Sequence, residues 1–99
     1  MDIQEYIQKK CGVLLPIKGG DGQSKGSPVI LTIKSSFYLV DVQNDFISYW
    51  IENGKWRKIN QSLIEEDKKI LEKITIHHID DDDYESFFAF WFDVSECFI

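Results

Sequence analysis

The sequence predicts one α+β domain over residues 1–99, with two helices packed on one face of an antiparallel sheet of about six strands. A chain of 99 residues with 43% apolar and 14% aromatic side chains has enough material for a single hydrophobic core. Short apolar segments alternate with Gly, Asn and Asp positions that are typical of turns. Near the end, Phe88, Phe90, Phe92 and Val94 recur with period two, so one face of an extended segment buries aromatic rings. We expect the rest of the chain to pack on this aromatic strand.

The formal net charge of −6 is unevenly distributed along the chain. Residues 1–60 carry eight basic and six acidic side chains, whereas residues 61–99 carry three and eleven. Binding to a phosphate backbone is driven by cationic side chains that displace counterions, so this balance disfavours direct binding of nucleic acid. It favours a basic protein as the partner.

The two cysteines and the lack of long apolar runs predict a cytoplasmic protein. Cys11 and Cys97 lie near opposite ends, and the start Met-Asp-Ile-Gln-Glu has neither the basic nor the apolar part of a signal peptide. We expect free thiols in a reducing compartment, with a disulfide between the two as the alternative. No apolar run reaches the ~18 residues that a membrane-spanning helix needs, so no membrane association is expected.

Capping and turn residues define the elements of the first half. Asp2 and Gly12 bracket a helix over residues 3–10. The glycine-rich residues 18–27 predict a hairpin loop, and because their spacing matches neither a P-loop nor a dinucleotide-binding turn, no cofactor is predicted. Strands are expected over residues 13–17, 29–33, 36–42 and 46–51.

The second half opens with the sharpest turn signal of the chain, Asn53-Gly54. Both central positions of a type I′ turn need positive φ, which this pair tolerates, so we expect a hairpin that pairs the residues before Asn53 with those after Gly54. Farther on, Ser62 and Glu65 have the spacing of a capping box and precede an apolar stripe of helical period. They predict a helix over residues 63–73.

Two final strands, residues 74–79 and 84–95, are expected to form an antiparallel hairpin. Asp80–Asp83, which we call the acidic turn, joins them. Aromatic residues in the last segment also satisfy helical spacing, so a helix over residues 84–95 is the alternative. The density of aromatic residues and the additional Phe90 favour the strand.

The segment Phe37–Phe46, an apolar run ending in Asp-Val-Gln-Asn-Asp-Phe, resembles the first catalytic segment of the isochorismatase and nicotinamidase hydrolases. The resemblance covers ten of the 99 residues. It implies that Asp41 activates a nucleophilic cysteine, for which Cys97 is the candidate. The family has a doubly wound parallel sheet and is about twice as long, and its pattern also needs a lysine on a later strand. Turn formation at Gln-Asn-Asp explains the same residues without catalysis.

A metal-dependent enzyme is a second catalytic alternative, because His77-His78 stands beside the acidic turn and imidazole with carboxylate suits zinc or manganese. Adjacent residues of a strand point to opposite faces, so only one of the two histidines could join the carboxylates, and His78 is the candidate. Consecutive aspartates also lack the alternate spacing of a calcium loop. Two structural imidazoles beside a solvated turn explain the same residues, and no metal is predicted.

The acidic turn is the favoured interaction surface, because four adjacent carboxylates repel each other and resist burial. Aromatic side chains near polar positions are typical of the anchors of protein interfaces. The predicted partner-binding residues are Trp50, Trp56, Asp80, Asp81, Asp82, Asp83, Tyr84 and Glu85.

In size, acidity and mixed order of strands and helices, the whole chain resembles the small immunity proteins of bacterial polymorphic and contact-dependent toxin systems. The resemblance implies a non-catalytic inhibitor whose basic partner is a toxin domain. The hydrolase with Asp41 and Cys97, the metal enzyme with His78, and a self-associating structural subunit are the alternatives.

Overall fold

Two helices pack against one face of a five-stranded sheet in the computed structural model, which describes residues 2–98. The elements are α1 (Ile3–Cys11), β1 (Ile17–Gly19), β2 (Val29–Leu31), α2 (Leu39–Ile51), β3 (Lys55–Glu66), β4 (Lys69–Ile79), β5 (Glu85–Asp93) and a terminal 3₁₀ helix (Ser95–Phe98). The strand order is β1-β2-β5-β4-β3. The predicted α+β class with two helices is confirmed.

The sheet has five strands, one fewer than the predicted number of about six, and it is mixed, so the predicted all-antiparallel pairing was wrong. β2 and β5 are parallel neighbours, whereas all the other pairs are antiparallel. A parallel pair needs a long crossover connection. Here α2 and the β3–β4 hairpin together supply it.

The aromatic strand is β5, and its rings form the centre of the core. Phe90 and Phe92 are fully buried against α2. Phe46 of α2 meets both rings edge-on, at centroid distances of 6.3 and 5.8 Å. This confirms the strand over the helix as the structure of the aromatic segment.

α2 replaces the two strands that were predicted at residues 36–42 and 46–51. Its buried residues recur at steps of three and four, which is the period of a helix that covers a core with one face. These residues are Leu39, Val42, Gln43, Phe46 and Ile47. The Gln-Asn-Asp segment that was expected to turn lies within the helix. None of the helices in residues 2–98 is both long and apolar enough to cross a membrane.

β3 and β4 replace the helix that was predicted at residues 63–73. Asp67 and Lys68 form a two-residue turn between them, with φ of 51° and 64°. Positive φ at both central positions is the geometry of a type I′ turn, which was not predicted here because Lys68 stands at the second position, where Gly is usual. Beyond this turn, Ile74 and Ile76 point into the core, and the residues that alternate with them are more exposed, as in a half-buried strand.

α1 follows its predicted capping. The Asp2 carboxylate accepts a hydrogen bond of 2.9 Å from the backbone N–H of Glu5, and Gly12 adopts φ +72° after the last turn. The strand expected over residues 13–17 was misplaced, because β1 begins only at Ile17.

The glycine-rich segment forms the predicted hairpin loop between β1 and β2. Within it, the carbonyl of Gly22 accepts a hydrogen bond of 2.7 Å from the backbone N–H of Trp91. The loop is thereby attached to β5 as well as to its own hairpin.

Asn53-Gly54 connects α2 to β3 and does not join two strands. The predicted pairing of residues 49–52 with 55–58 does not form, because residues 49–51 are helical. Gly54 does adopt the expected positive φ, +78°. A Cβ atom at this position would lie 2.2 Å from the carbonyl oxygen of Ile79, so the backbone of β4 approaches too closely for any side chain.

Replacing Gly54 with alanine is expected to destabilise the fold by at least about 1 kcal/mol. The positive φ is unfavourable for alanine, and its Cβ atom would clash with the β4 backbone. Chemical denaturation of the wild type and the variant measures this difference. Gly26→Ala is the matched control, since nothing lies within 4 Å of its Cβ position. Equal unfolding free energies for Gly54→Ala and Gly26→Ala would contradict the geometry of this connection.

Candidate functional site

The acidic turn connects β4 to β5 and is closed by its own hydrogen bonds. Oδ1 of Asp80 accepts from the backbone N–H groups of Asp82, at 2.9 Å, and Tyr84, at 2.8 Å. The backbone N–H of Asp83 donates to the carbonyl of Asp80 at 3.1 Å, and Asp83 has φ +60°. Asp tolerates this left-handed conformation better than most residues. Asp80 is therefore the internal acceptor that gives the turn a defined shape.

The other three carboxylates of the turn point into solvent. Asp81, Asp82 and Asp83 are exposed, and none of them forms an ion pair within residues 2–98. A recess of about 360 Å³ borders the turn and is lined on its other side by Gly54 and Lys55. Three unpaired carboxylates beside a recess form a surface on which a cationic side chain can bind.

Tyr84 and Glu85 directly follow the acidic turn, and both side chains are exposed beside it. Tyr84 is 73% exposed, and its ring gives the acidic surface an apolar part. Glu85 contacts Nε2 of His77 at 3.1 Å, and the His77 ring packs against Phe87 at a centroid distance of 5.1 Å. One carboxylate of the predicted set is therefore already engaged within the chain.

The two predicted tryptophans lie in different places. Trp56 pairs with His78 on β4, two positions before the acidic turn, and its Nε1 donates to Oγ of Ser48 at 3.1 Å. Trp50 belongs to α2 and packs on Tyr6 of α1 at 5.6 Å between ring centroids. It lines a separate recess of about 390 Å³ between α1 and β1. The structure thus brings Trp56 to the end of the sheet that carries the acidic turn and places Trp50 on the helix side.

The two histidines point to opposite faces of β4, as expected. Nε2 of His78 lies 2.8 Å from the carbonyl oxygen of Asn53, so this nitrogen carries the proton and donates to that oxygen. His77 is engaged by Glu85 on the other face. Within residues 2–98, no group of three or more His, Cys, Asp or Glu side chains is arranged to hold a metal ion. The hydrogen bond from His78 attaches β4 to the connection between α2 and β3.

Asp41 and Cys97 are in dissimilar environments. Asp41 lies in the first turn of α2 and is exposed, so the hydrolase-like segment is helical and does not form the apolar strand of that family. Cys97 is only 3% exposed and belongs to the core. Burial raises the pKa of the Cys97 thiol, and the negative charges of Glu96, Asp93 and Glu72 raise it further. A catalytic thiolate needs the opposite shift and a base in contact.

A buried polar cluster between α2 and the sheet was missed by the sequence. Nε2 of Gln43 donates to Oε1 of Glu72 at 2.9 Å, and Nε2 of Gln61 donates to the same oxygen at 2.7 Å. Gln43 and Glu72 are almost completely buried. The two amides satisfy a carboxylate that would otherwise be costly to bury, and they join α2, β3 and β4. No local signal could reveal the cluster, because its members lie on three elements whose arrangement was not predicted.

Both cysteines are free thiols, as the sequence predicted.

Comparison of the chain with protein-family models, with curated proteins and with solved structures found no match.

Cys97 is expected to react with an alkylating reagent at neutral pH at least about tenfold more slowly in the folded protein than in denaturant, because the thiol is buried and its raised pKa keeps it protonated. Reactivity should increase only at alkaline pH, as the pH approaches this raised pKa. Mass spectrometry of the labelled peptides measures both rates, and the half-exposed Cys11 serves as the internal control. Fast modification of Cys97 alone at neutral pH would revive the hydrolase hypothesis.

Proposed function

We propose that this protein is a non-catalytic binding module that recognises a basic protein through the acidic turn. The specific function we propose is that of an immunity protein, which neutralises a toxin domain in a reducing cytoplasm, where its free thiols would persist. The observation that carries this proposal is the set of three exposed, unpaired carboxylates of Asp81–Asp83 on a turn of defined shape.

Charge and shape both support binding at this surface. Complementary charges raise the rate of diffusional encounter with an oppositely charged partner. Because Asp80 already holds the turn closed, less conformational entropy is lost when the three carboxylates are engaged. The adjacent recess of about 360 Å³ is large enough to admit a lysine or arginine side chain, and Tyr84 offers an exposed ring beside it.

The proposed interface continues from Tyr84 and Glu85 toward Trp56, which lies at the same end of the sheet. Trp50 lines the recess between α1 and β1 and would form a second contact with a partner that extends over the helices. The partner would thus meet an acidic centre with aromatic side chains around it, which is a common composition of protein interfaces.

The enzyme alternatives have less support. The hydrolase requires a reactive Cys97 assisted by Asp41, yet the thiol is buried with a raised pKa and the carboxylate lies on the exposed side of α2. The metal enzyme requires His78 beside the aspartates, yet Nε2 of His78 is engaged by the Asn53 carbonyl. Binding of a protein partner at the acidic turn requires neither a reactive thiol nor a histidine beside the aspartates.

Replacing Asp81, Asp82 and Asp83 together with asparagine is expected to lower the association rate with a co-purifying or genetically neighbouring basic partner by about tenfold at low salt. Asp80 is kept, because its carboxylate holds the turn closed. The dependence of the rate on salt between about 50 and 200 mM should also decrease, since exposed charges are screened over this range. Stopped-flow or biosensor kinetics measure both quantities.

The matched control is the triple variant Glu5→Gln, Asp41→Asn and Asp45→Asn. It changes the net charge by the same amount at exposed helix positions. A general effect of net charge would slow both variants equally, whereas recognition by the acidic turn slows only the first. Equal rates and equal salt dependence for the wild type and the acidic-turn variant would exclude the acidic turn as the recognition surface.

A further inference from the structure

β3 is a long and unpaired edge of the sheet. It pairs with β4 on one side and stands last in the strand order, whereas the opposite edge is the three-residue β1. A 12-residue edge presents a row of backbone N–H and C=O groups to which another strand can bind. Two of its apolar side chains are also exposed, Ile59 to 47% and Leu63 to 59%.

The charges of β3 are separated along its length. Arg57 and Lys58 lie near its start, and Glu65 and Glu66 are its last two residues. A second copy of β3 that pairs in the antiparallel direction brings the basic start of one strand to the acidic end of the other. Lysine at an exposed edge strand normally discourages pairing with another strand. Here the acidic end of the second β3 would lie opposite the basic start of the first, so the charges attract.

A bulge in β3 decides which of these side chains share a face. Lys58 pairs with Ile76 and Asn60 with Thr75, so Ile59 is an extra residue without a partner on β4. Since side chains alternate along a strand, the bulge puts odd-numbered residues before it and even-numbered residues after it on the same face. Arg57 and Glu66 therefore lie on the face of the sheet away from the helices.

Lys58 and Glu65 lie on the face of the sheet that the helices cover. Lys58 is opposite Ile76, which is buried under the helices. Glu65 is opposite Ile70, which alternates with the buried Leu71 and so lies on the same face as Ile76. Residues directly opposite in an antiparallel pair must share a face to interact. Both charge pairs meet this condition because of the bulge.

We propose that a second copy of this chain binds along β3, forming a symmetric homodimer with one continuous ten-stranded sheet and a two-fold axis at Ser62. With the bulge kept, this register pairs Ser62 with Ser62, Gln61 with Leu63, Asn60 with Ile64, Lys58 with Glu65 and Arg57 with Glu66. It forms four ion pairs in the dimer, two on each face of the sheet.

Neighbouring registers are less favourable. An axis at Gln61 places Arg57 and Lys58 opposite apolar residues, and an axis at Leu63 places Arg57 opposite Lys68. Within residues 2–98, Glu65 and Arg57 have no ion-pair partner, whereas Glu66 already contacts Lys25. The pair between Lys58 and Glu65 is therefore the clearest to test.

Sedimentation of the wild type from low micromolar to near-millimolar concentration is expected to show a dimer that weakens at high salt. Lys58→Glu and Glu65→Lys should each raise the dimer dissociation constant by about tenfold or more, because each puts two like-charged pairs into the dimer. An equimolar mixture of the two variants should dimerise again, since each variant supplies the charge that the other lost. Circular dichroism confirms that both variants are folded.

Ser62→Cys gives a second measurement, because the two-fold axis brings this position of both copies together. It should form a disulfide-linked dimer on oxidation, whereas Ser24→Cys in the loop between β1 and β2 should not. A wild type that is monomeric at every concentration would overturn the proposal, as would variants that dimerise like the wild type without being mixed. These outcomes are independent of whether the acidic turn binds a basic partner.

Discussion

The edge-on packing of Phe46 against Phe90 and Phe92 is the contact that the rest of the structure depends on, because it attaches α2 to the middle of the sheet. All three rings are completely buried, and aromatic pairs of this geometry stabilise a core beyond the area they bury. Beside them, the amides of Gln43 and Gln61 hold the buried Glu72 carboxylate. Apolar contact gives α2 its position, and this polar cluster adds a directional constraint that apolar contact alone lacks.

The same core determines where the charged groups lie. β4 and β5 pair without interruption from the residues beside the core to Ile79 and Glu85, so the acidic turn is the direct continuation of two well-paired strands. The bonds to the Asp80 carboxylate then fix the turn itself. Three carboxylates are thus held at one end of the molecule, while the basic side chains of β3 lie along an edge. This separation would allow the two proposed contacts to form on one small domain.

Short sequence patterns correctly predicted the features that depend on interactions between neighbouring residues. The cap at Asp2, the positive φ of Gly54 and the alternating rings of β5 followed from a few neighbouring residues. α2 and the β3–β4 hairpin were assigned wrongly, because their apolar residues fit both periods and long-range pairing decides between them. The exposure of the acidic turn was predictable from charge repulsion. The distant place of Trp50 was not, because it depends on the orientation of α2.

Hydrogen exchange of the protein with and without the proposed basic partner tests recognition by the acidic turn most directly, since it locates the contact without altering the charge of either protein. Binding is expected to slow exchange at the amides of residues 81–85, at the tip of the β4–β5 hairpin, and to leave the core amides of β5 unchanged. Unaltered exchange at residues 81–85 in a fully bound sample would contradict recognition by the acidic turn and show that the partner binds elsewhere.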